Sequence, residues 1–475
     1  MRLERADVVI AGAGPAGAIL GALVARPERR VVLLHRSSAG SGVLAETVVG
    51  SAEPMFARLG LVPIVERLGF DGAARHGALW GAGEVFWRKL APKERGYKLE
   101  RVAFDAALRA LAIERGVELV EGASARTPWR APHVRVELDR ERRAVDELSR
   151  SAVGGTELAF DARVVVAAAG RTMPESLVDG RVVRELPALI ALNARVPDAG
   201  AFADATSIEA VPEGWWWWIP LAAGGASVTL FVDRDELAAK GRDAAWRSAR
   251  EHALGPCRAA PAAFERGTTA APRLVETGGD VLLAGDAASC VDPLSSQGVE
   301  KALASADHAA RCVNALLEAK LDRELVLAHR RAWERGLFEA HARSTLAFYA
   351  AERRFERAPF WTKRHALANA AAAARAVALP ERVRPNPELE PASVLVPSGD
   401  AFAAVPGRRV RGSDEAHAEF HTVPVDVLLA CCDGGASLDE VLKRARRVPA
   451  LATRTPAVVR EALTSACRAG VVVRA

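Results

Sequence analysis

The sequence predicts an α/β fold: a three-layer body around a parallel sheet, an antiparallel sheet above it, and a small helical C-terminal domain. Three observations predict it. The run GAGPAG (12–17) separates an apolar strand pattern from an apolar helix pattern. Alternating runs fill residues 181–233, as half-buried strands do. Five prolines fall between Pro380 and Pro397, ahead of a last stretch of helical pattern.

Taken in order, ADVVIA (6–11) reads as a short buried strand, GAGPAG as the turn, Ala16–Ala25 as a helix and Arg30–Leu34 as a second strand. That is a βαβ unit. Helical patterns dominate from about 44 to 120. HVRVEL (133–138) and TELAF (156–160) then read as strands around the solvated connection DRERRAVDELSR (139–150). RVVVAAAG (163–170) is continuous and β-branched at its start, so it reads as a parallel strand covered on both faces that rejoins the first sheet. The runs 181–196, TSIEAV (206–211), WWWWIPL (215–221) and ASVTLFVD (226–233) read as an antiparallel sheet over the body, a roof for a substrate. Two long helices follow, at about Val299–Glu318 and Arg323–Phe355. The expected organisation is a body over 1–378, with dinucleotide-binding segments at about 1–180 and 275–320, a substrate sheet at about 181–274 and closing helices at 321–378. A semi-rigid proline-rich linker over 379–399 then leads to a separate domain at 400–475.

Composition narrows the function. The chain has 475 residues, 50% of them hydrophobic and 26% charged, with 64 basic against 59 acidic side chains, a net charge of +5. So weak a field, spread along the chain, does not suggest nucleic acid. No apolar stretch reaches the roughly 18 residues of a membrane span, and no apolar leader precedes the first strand, which suits a cytoplasmic protein. Six cysteines without CxxC or Cys/His spacing suit a reducing compartment and imply no metal; Cys431 and Cys432 belong to a core helix.

Gly12, Gly14 and Gly17 stand in the G-x-G-x-x-G spacing directly between strand and helix. The first glycine permits the tight turn, the second lets a pyrophosphate approach the backbone, and the third lets helix and strand pack closely. Phosphates then meet the free N–H groups at the helix N-terminus. At the end of the second strand, where such a site places an acid for the ribose, stands His35, which either shares one hydrogen bond with a ribose hydroxyl or faces solvent. Downstream, Asp286 ends the strand VLLA and can accept hydrogen bonds from sugar-like hydroxyls. The continuation Asp292-Pro293-Leu294-Ser295-Ser296-Gln297-Gly298 enters a helix, and its exposed N–H donors suit an anionic ring edge.

Together with Glu46-Thr47, FARLGL (56–61), LERVAFDAALR (99–109), AAAGR (167–171), WWWWIP (215–220), AGDAASCVDPLSSQG (284–298) and AERRFERAPFW (351–361), these pieces resemble FAD-dependent monooxygenases of the hydroxylase type. Within them the chain resembles the tryptophan-halogenase-like branch, over about residues 5–370. The resemblance implies a Rossmann-like FAD-binding domain of the glutathione-reductase type and FAD as cofactor. It implies FAD contacts from Gly12, Gly14, Pro15, Ala16, Gly17, His35, Glu46 and Arg101, with Asp286 on the ribitol. Pro293, Ser296, Gln297 and Gly298 would then face the isoalloxazine.

The tetrad Trp215–Trp218 matches the WxWxIP pattern of flavin halogenases. On a strand Trp215 and Trp217 share one face and Trp216 and Trp218 the other, so one pair either lines the substrate pocket or packs between layers. Halogenases of this branch also use a lysine between the Glu46 region and Trp80-Gly81; LGFDGAARHGALWG (68–81) has none. Its strongly basic residue is Arg75, a substrate contact in this reading, and a guanidinium stays protonated and forms no ready haloamine. Ser295 stands where tryptophan halogenases carry a glutamate, and Gln297-Gly298 looks more like the hydroxylases. His76 and Glu84 are the candidates for accepting an indole or phenol proton, or are plain loop residues.

The same combination resembles the subgroup that matures quinone-cofactor amine oxidases and dehydrogenases by oxygenating a peptidyl tryptophan, the AERRFERAPFW segment above all. In the C-terminal domain Ser437 and Glu440 fit a capping box, Thr455-Pro456 an N-cap and Gly470 a C-cap, which gives two helices and a strand. The pattern resembles a winged helix or the small peptide-binding domains of peptide-modifying enzymes. The expected activity is hydroxylation of an aromatic ring, tryptophan or indole or phenol, free or in a peptide, through a flavin C4a-hydroperoxide. Halogenation, reduction of isoprenoid double bonds and a non-catalytic peptide-binding scaffold are the alternatives. The expected partners are an aromatic small molecule or a tryptophan-containing peptide or protein, with a flavin reductase or NAD(P)H as electron source, and neither nucleic acid nor membrane.

Overall fold

The computed structural model describes residues 2–36, 45–81, 83–125, 133–138, 158–172, 180–277, 279–375, 379–413, 415–451 and 454–475. β1 (Arg2–Ala11) carries Val8, Val9 and Ile10 fully buried, because parallel neighbours flank it on both sides. The chain turns at Gly12–Gly14 into α1 (Pro15–Val24), with Pro15 at its first position, and returns as β2 (Val31–His35).

The stretch from 45 to 121 is mixed rather than mainly helical. β3 (Ala45–Val48), β4 (Arg75–Leu79), β5 (Phe86–Lys89) and β6 (Tyr97–Glu100) interleave with short helices at Glu53–Leu59 and Val62–Arg67. These strands are four or five residues long and carry Arg75, Arg88, Lys89 and Lys98, so no apolar alternation announces them. β3 pairs with β6 and β4 with β5. After α2 (Arg101–Glu114) come β7 (Glu118–Glu121), β8 (Ala123–Ala125), β9 (His133–Leu138) and β10 (Leu158–Ala167). β10 joins the LAF of the first expected run to RVVVA in one strand; it lies antiparallel to β9 and parallel to β1, as expected. The connection 139–150 lies outside the described residues.

β11 (Gly180–Val183), β12 (Leu189–Val196), β13 (Ala205–Val211), β14 (Gly214–Pro220) and β15 (Ala226–Asp233) precede α3 (Arg242–His252), β16 (Arg266–Thr269), β17 (Arg273–Thr277) and β18 (Leu282–Leu283). The first sheet runs β7-β2-β1-β10-β9-β8, with β18 also beside β10. The second runs β16-β12-β15-β14-β13-β4-β5, and it is antiparallel except where β4 joins β13 in parallel. The tryptophans of β14 divide by face. Trp216 and Trp218 pack with Trp246 of α3, Leu230 and Val228, while Trp215 and Trp217 pack with Phe231, Tyr349 and Trp361.

α4 (Gly298–Glu318), α5 (Arg323–Ala351) and α6 (Pro359–Arg375) follow, α5 ending four residues earlier than expected. The chain divides into one unit of 1–313 and 333–371 and a second of 314–332 and 372–475, with the divisions inside α4, α5 and α6. The proline-rich segment forms β19 (Arg382–Pro385) and β20 (Leu389–Ser398), which pairs with β21 (Ala401–Val410). β20 tolerates Pro391 and Pro397 because, among the described residues, it pairs on one edge only. Three helices follow, α7 (Val425–Cys432), which is the core helix expected for Cys431 and Cys432, and the two expected from the capping signals, α8 (Leu438–Ala445) and α9 (Pro456–Arg468), then β22 (Val472–Arg474). Ser437 and Glu440 form the expected capping box, Thr455 caps α9, and Cys431 and Cys432 are buried in α7. Among the described residues no helix is long and apolar enough to cross a membrane.

Trp216 is fully buried, stacks edge-on against Trp246 at 4.8 Å and donates its indole N–H to the Ala249 carbonyl at 3.1 Å. Trp216→Ala is expected to cost about 3–5 kcal/mol in urea unfolding, from a cavity and a lost partner for that carbonyl.

Candidate functional site

The β1–α1 turn uses its three glycines for different reasons. Gly12 has φ +115°, and a Cβ there would lie 2.3 Å from the Ala168 carbonyl oxygen. A Cβ on Gly17 would lie 1.8 Å from the Gly12 oxygen. Both are required by the protein's own packing. Gly14 is not: its φ of −75° and ψ of −174° suit any residue, and a Cβ would have nothing within 4 Å. No side chain caps α1, so the N–H groups of its first turn face that open space.

Other segments meet this turn. A Cβ on Gly285 would lie 2.5 Å from the Ala16 methyl, which puts the Gly285-Asp286 turn against the start of α1. Arg171, after β10, reaches Asp286 at 3.3 Å. Glu46 of β3 holds Arg101, the first residue of α2, at 2.5 Å; Arg101 also grips Asp105 through two contacts of 3.1 Å. Burial works against charge on Arg101, but Glu46 and Asp105 outweigh it and hold its pKa above the ordinary arginine value. The same balance holds for Arg171, where Asp286 is the leading opposing charge. A Cβ on Gly298 would sit 3.7 Å from a Glu46 oxygen. The glycine turn, Glu46, Arg101, Arg171, Asp286 and Gly298 therefore form one site.

Side chains behind the site fix its shape. Lys301 of α4 donates to the carbonyls of Gly285, at 2.8 Å, and of Ser289, and pairs with Glu334 of α5 at 2.8 Å. Glu334 accepts the hydroxyls of Ser289 and Ser305 at 2.5 and 2.9 Å, and Ser305 in turn accepts the Gly285 N–H at 2.9 Å. Both peptide groups of Gly285 are thereby held. In the next turn Asp292 accepts the Leu294 N–H at 3.0 Å, and Ser296 takes the left-handed region at φ +50°. Nearby Cys290 is pushed up to about 12 by burial and by Asp286, so it is no nucleophile at neutral pH.

The remaining expected residues have these surroundings. His35 ends β2 half-buried, and burial followed by Arg109 lowers its pKa, so the ring is neutral at pH 7. Arg75 is taken up at the start of β4, with Nε 3.0 Å from both Asp204 oxygens and a further bond to the Ala201 carbonyl at 2.6 Å. Its guanidinium also lies 5.3 Å from the Trp87 ring. His76 is exposed on β4 opposite Arg88, and Glu84 is exposed in the β4–β5 connection. Trp215 and Trp217 are buried in an aromatic wall, Trp215 stacked on Phe231 at 4.0 Å. Sequence reasoning missed Arg171 as a site residue, although AAAGR contains it, and it missed Lys301, Glu334 and Tyr349, which no motif marks. Among the described residues no group of three His, Cys, Asp or Glu side chains is placed to hold a metal.

Comparison with known proteins gives the family. Residues 87–385 match the tryptophan halogenase family. A tryptophan 2-halogenase of Chondromyces crocatus is 27% identical over 380 residues, covering 75% of this chain and 70% of that protein. In fold, the chain resembles the myxobacterial chondrochloren halogenase CndH, a variant of FAD-dependent halogenases, with a TM-score of 0.63, 24% identity and coverage of 78% of this chain and 89% of that one. It also resembles the peptidyl tryptophan dihydroxylase QhpG of tryptophylquinone cofactor biogenesis, with a TM-score of 0.68, 22% identity and coverage of 96% and 98%.

The open space at Gly14 fits FAD, since a glycine that the protein's own packing does not require leaves room for a pyrophosphate on the helix N-terminus. Gly14→Val is expected to abolish FAD binding in an absorbance titration while stability stays within about 1 kcal/mol. Gly12→Ala should instead lower the melting temperature, because its φ and the Ala168 carbonyl both exclude a methyl. Lys301→Met removes the buried ammonium beside Glu334 and is expected to cost about 3–5 kcal/mol, part of which Glu334→Leu recovers in the double variant.

Proposed function

We propose, from the premise that this chain belongs to the tryptophan halogenase family and is an FAD-dependent oxidoreductase, that it hydroxylates an aromatic ring, an indole or phenol, borne free or on a peptide. The observation that carries the reading is the state of Arg75. Between Glu46 and Trp80-Gly81 it stands where halogenases of this branch use a lysine, and its guanidinium is consumed by Asp204 and the Ala201 carbonyl. A permanently charged guanidinium paired with a carboxylate neither forms a ready haloamine nor delivers a proton.

In this reading the N-terminus of α1 and Gly14 hold the pyrophosphate, and Gly12, Pro15, Ala16 and Gly17 shape that turn. Asp286, oriented by Arg171, accepts from the ribitol hydroxyls, Glu46 and Arg101 close the side of the site, and His35 lies toward the ribose. Pro293, Ser296, Gln297 and Gly298 present the turn to the isoalloxazine. Reduced FAD supplies the activation of oxygen. The chain's own work is to orient the ring and exclude water, which falls to the wall of Trp215, Trp217, Trp361 and Tyr349. Trp80 stands edge-on to Trp361 at 5.2 Å, and the β4–β5 hairpin that leads to it also carries His76 and Glu84, the candidates for holding the ring proton. The second unit, with its capped helices over a three-stranded sheet, is the part proposed to hold a peptide substrate; the likeness to QhpG, which extends over 96% of this chain, supports this.

A second reading, halogenation, is favoured by the family match and by the Chondromyces crocatus relative. Mass spectrometry separates the two. With reduced flavin, oxygen and halide present, tryptophan, indoles, phenols and tryptophan peptides are expected to gain 16 or 32 mass units at a rate unchanged by omitting chloride and bromide. A halogen isotope pattern at first turnover would transfer the assignment to halogenation.

A further inference from the structure

The turn at Asp292–Gly298 is held from behind by a buried cluster whose hydrogen bonds the proposed chemistry leaves without a role. Asp292 is 2% exposed. One of its oxygens accepts the Leu294 N–H at 3.0 Å, and the Tyr349 hydroxyl donates to it from α5, lying 3.0 and 3.2 Å from the two oxygens. Tyr349 is fully buried and is itself fixed on two sides. His365 Nε2 lies 3.0 Å from its carbonyl oxygen, and the Arg364 guanidinium lies 4.9 Å from its ring and 3.5 Å from that of Phe360. Arg364 donates to Asp233, at the end of β15, at 2.7 Å, and Lys363 reaches the same carboxylate from the surface at 3.4 Å.

The geometry gives Tyr349 a directed task. A phenol has one hydrogen, and here it is committed to Asp292. Burial raises the pKa of Asp292, while Arg364, the Leu294 N–H and the Tyr349 hydroxyl oppose that rise. Burial and Asp292 together keep the Tyr349 phenol protonated, so it remains a donor. With Asp292 held, its contact to Leu294 closes the single turn Pro293–Ser295, Ser296 swings to φ +50°, and the chain enters α4 at Gly298.

We propose that Tyr349 is a positioning residue for the flavin: by holding the Asp292 side chain from behind, it fixes the Pro293–Gly298 turn, and so sets the reduction potential of the ring the turn faces. The inference rests on the proposed placement of FAD against this turn.

The test uses the full-length holoprotein as wild type, Tyr349→Phe, Asp292→Asn and the double variant, and reads the two-electron potential and visible spectrum of bound FAD. Both single variants are expected to shift the potential, since each breaks the hydrogen bond that holds the turn the ring faces, by at least a tenfold change between oxidised and reduced flavin, about 30 mV. The double variant should shift no further than the larger single one, because Tyr349 acts through Asp292. An unchanged potential and spectrum in Tyr349→Phe overturns the proposal, and so do additive shifts in the double variant. If Asp292→Asn fails to fold, Asp292→Glu replaces it in the cycle, and the potential of Tyr349→Phe alone still decides. Gly298→Val is the control for placement: if it leaves the FAD spectrum untouched, the placement of the ring is wrong, whereas a spectral change there with none in Tyr349→Phe refutes only the role of Tyr349.

Discussion

The buried pair of Lys301 and Glu334 is the constraint on which the site depends. Taking an ammonium and a carboxylate out of water costs several kcal/mol per ion, and their attraction offsets this only when the remaining hydrogens and lone pairs are also satisfied. Here they are. The three hydrogens of Lys301 serve Gly285, Ser289 and Glu334, and Glu334 receives Ser289 and Ser305 as well. The return is geometric: with the Gly285 carbonyl on Lys301 and its N–H on Ser305, the peptide before Asp286 cannot rotate. Asp286 is thus aimed by residues 15 and 48 positions further along the chain, and Arg171 needs only to meet it.

A second set of contacts does for the roof what this pair does for the floor. The segment after α5 reaches β4 through Glu352, whose carboxylate accepts the Gly81 N–H at 2.7 Å, and through Arg354, which donates to the Leu79 carbonyl at 2.9 Å. Between them Trp80 donates its indole N–H to the Phe348 carbonyl at 2.8 Å. Gly81 has φ +72°, and a Cβ there would lie 2.8 Å from the Ala351 carbonyl, so the glycine is required by this clamp. The end of α5 where Glu352 turns away follows from the same contacts, since its side chain is spent on Gly81 and Arg354. Two motifs about 270 residues apart, Trp80-Gly81 and AERRFERAPFW, thus belong to one joint.

What could be read from the chain follows from how local each signal is. GAGPAG was legible because a glycine turn, its strand and its helix are contiguous, and WWWWIP because strand period alone divides Trp215 and Trp217 from Trp216 and Trp218. The capping box of Ser437 and Glu440 is local in the same way. β3 to β6 were missed because strands this short are stabilised by partners distant in sequence; β4, for instance, lies beside β13, some 130 residues on. The proline-rich segment misled because proline was read for its own conformation, whereas an edge strand accommodates Pro391 and Pro397. Lys301, Glu334 and Tyr349 carry no signal at all. A lysine on a helix is normally solvated, and only the tertiary fold turns this one inward.

The same distinction bears on how much chemistry such a frame determines. The groups that hold the glycine turn, Gly285 and the Asp292 turn lie behind the site and touch one another, so they preserve its shape whatever ring is brought to its front. Substitutions at the front then change the reaction without disturbing the frame. Arg75 illustrates this, since its two bonds to Asp204 and its place beside Trp87 brace the start of β4, and nothing in Lys301, Glu334, Tyr349 or Asp292 depends on it. A lysine there would be a smaller, more strongly hydrated charge whose pKa shifts readily on burial, able to react where a guanidinium only braces. In the proposed reading the choice between oxygen insertion and halogenation turns on few side chains, and a fold-level likeness to enzymes of both kinds accords with a shared frame.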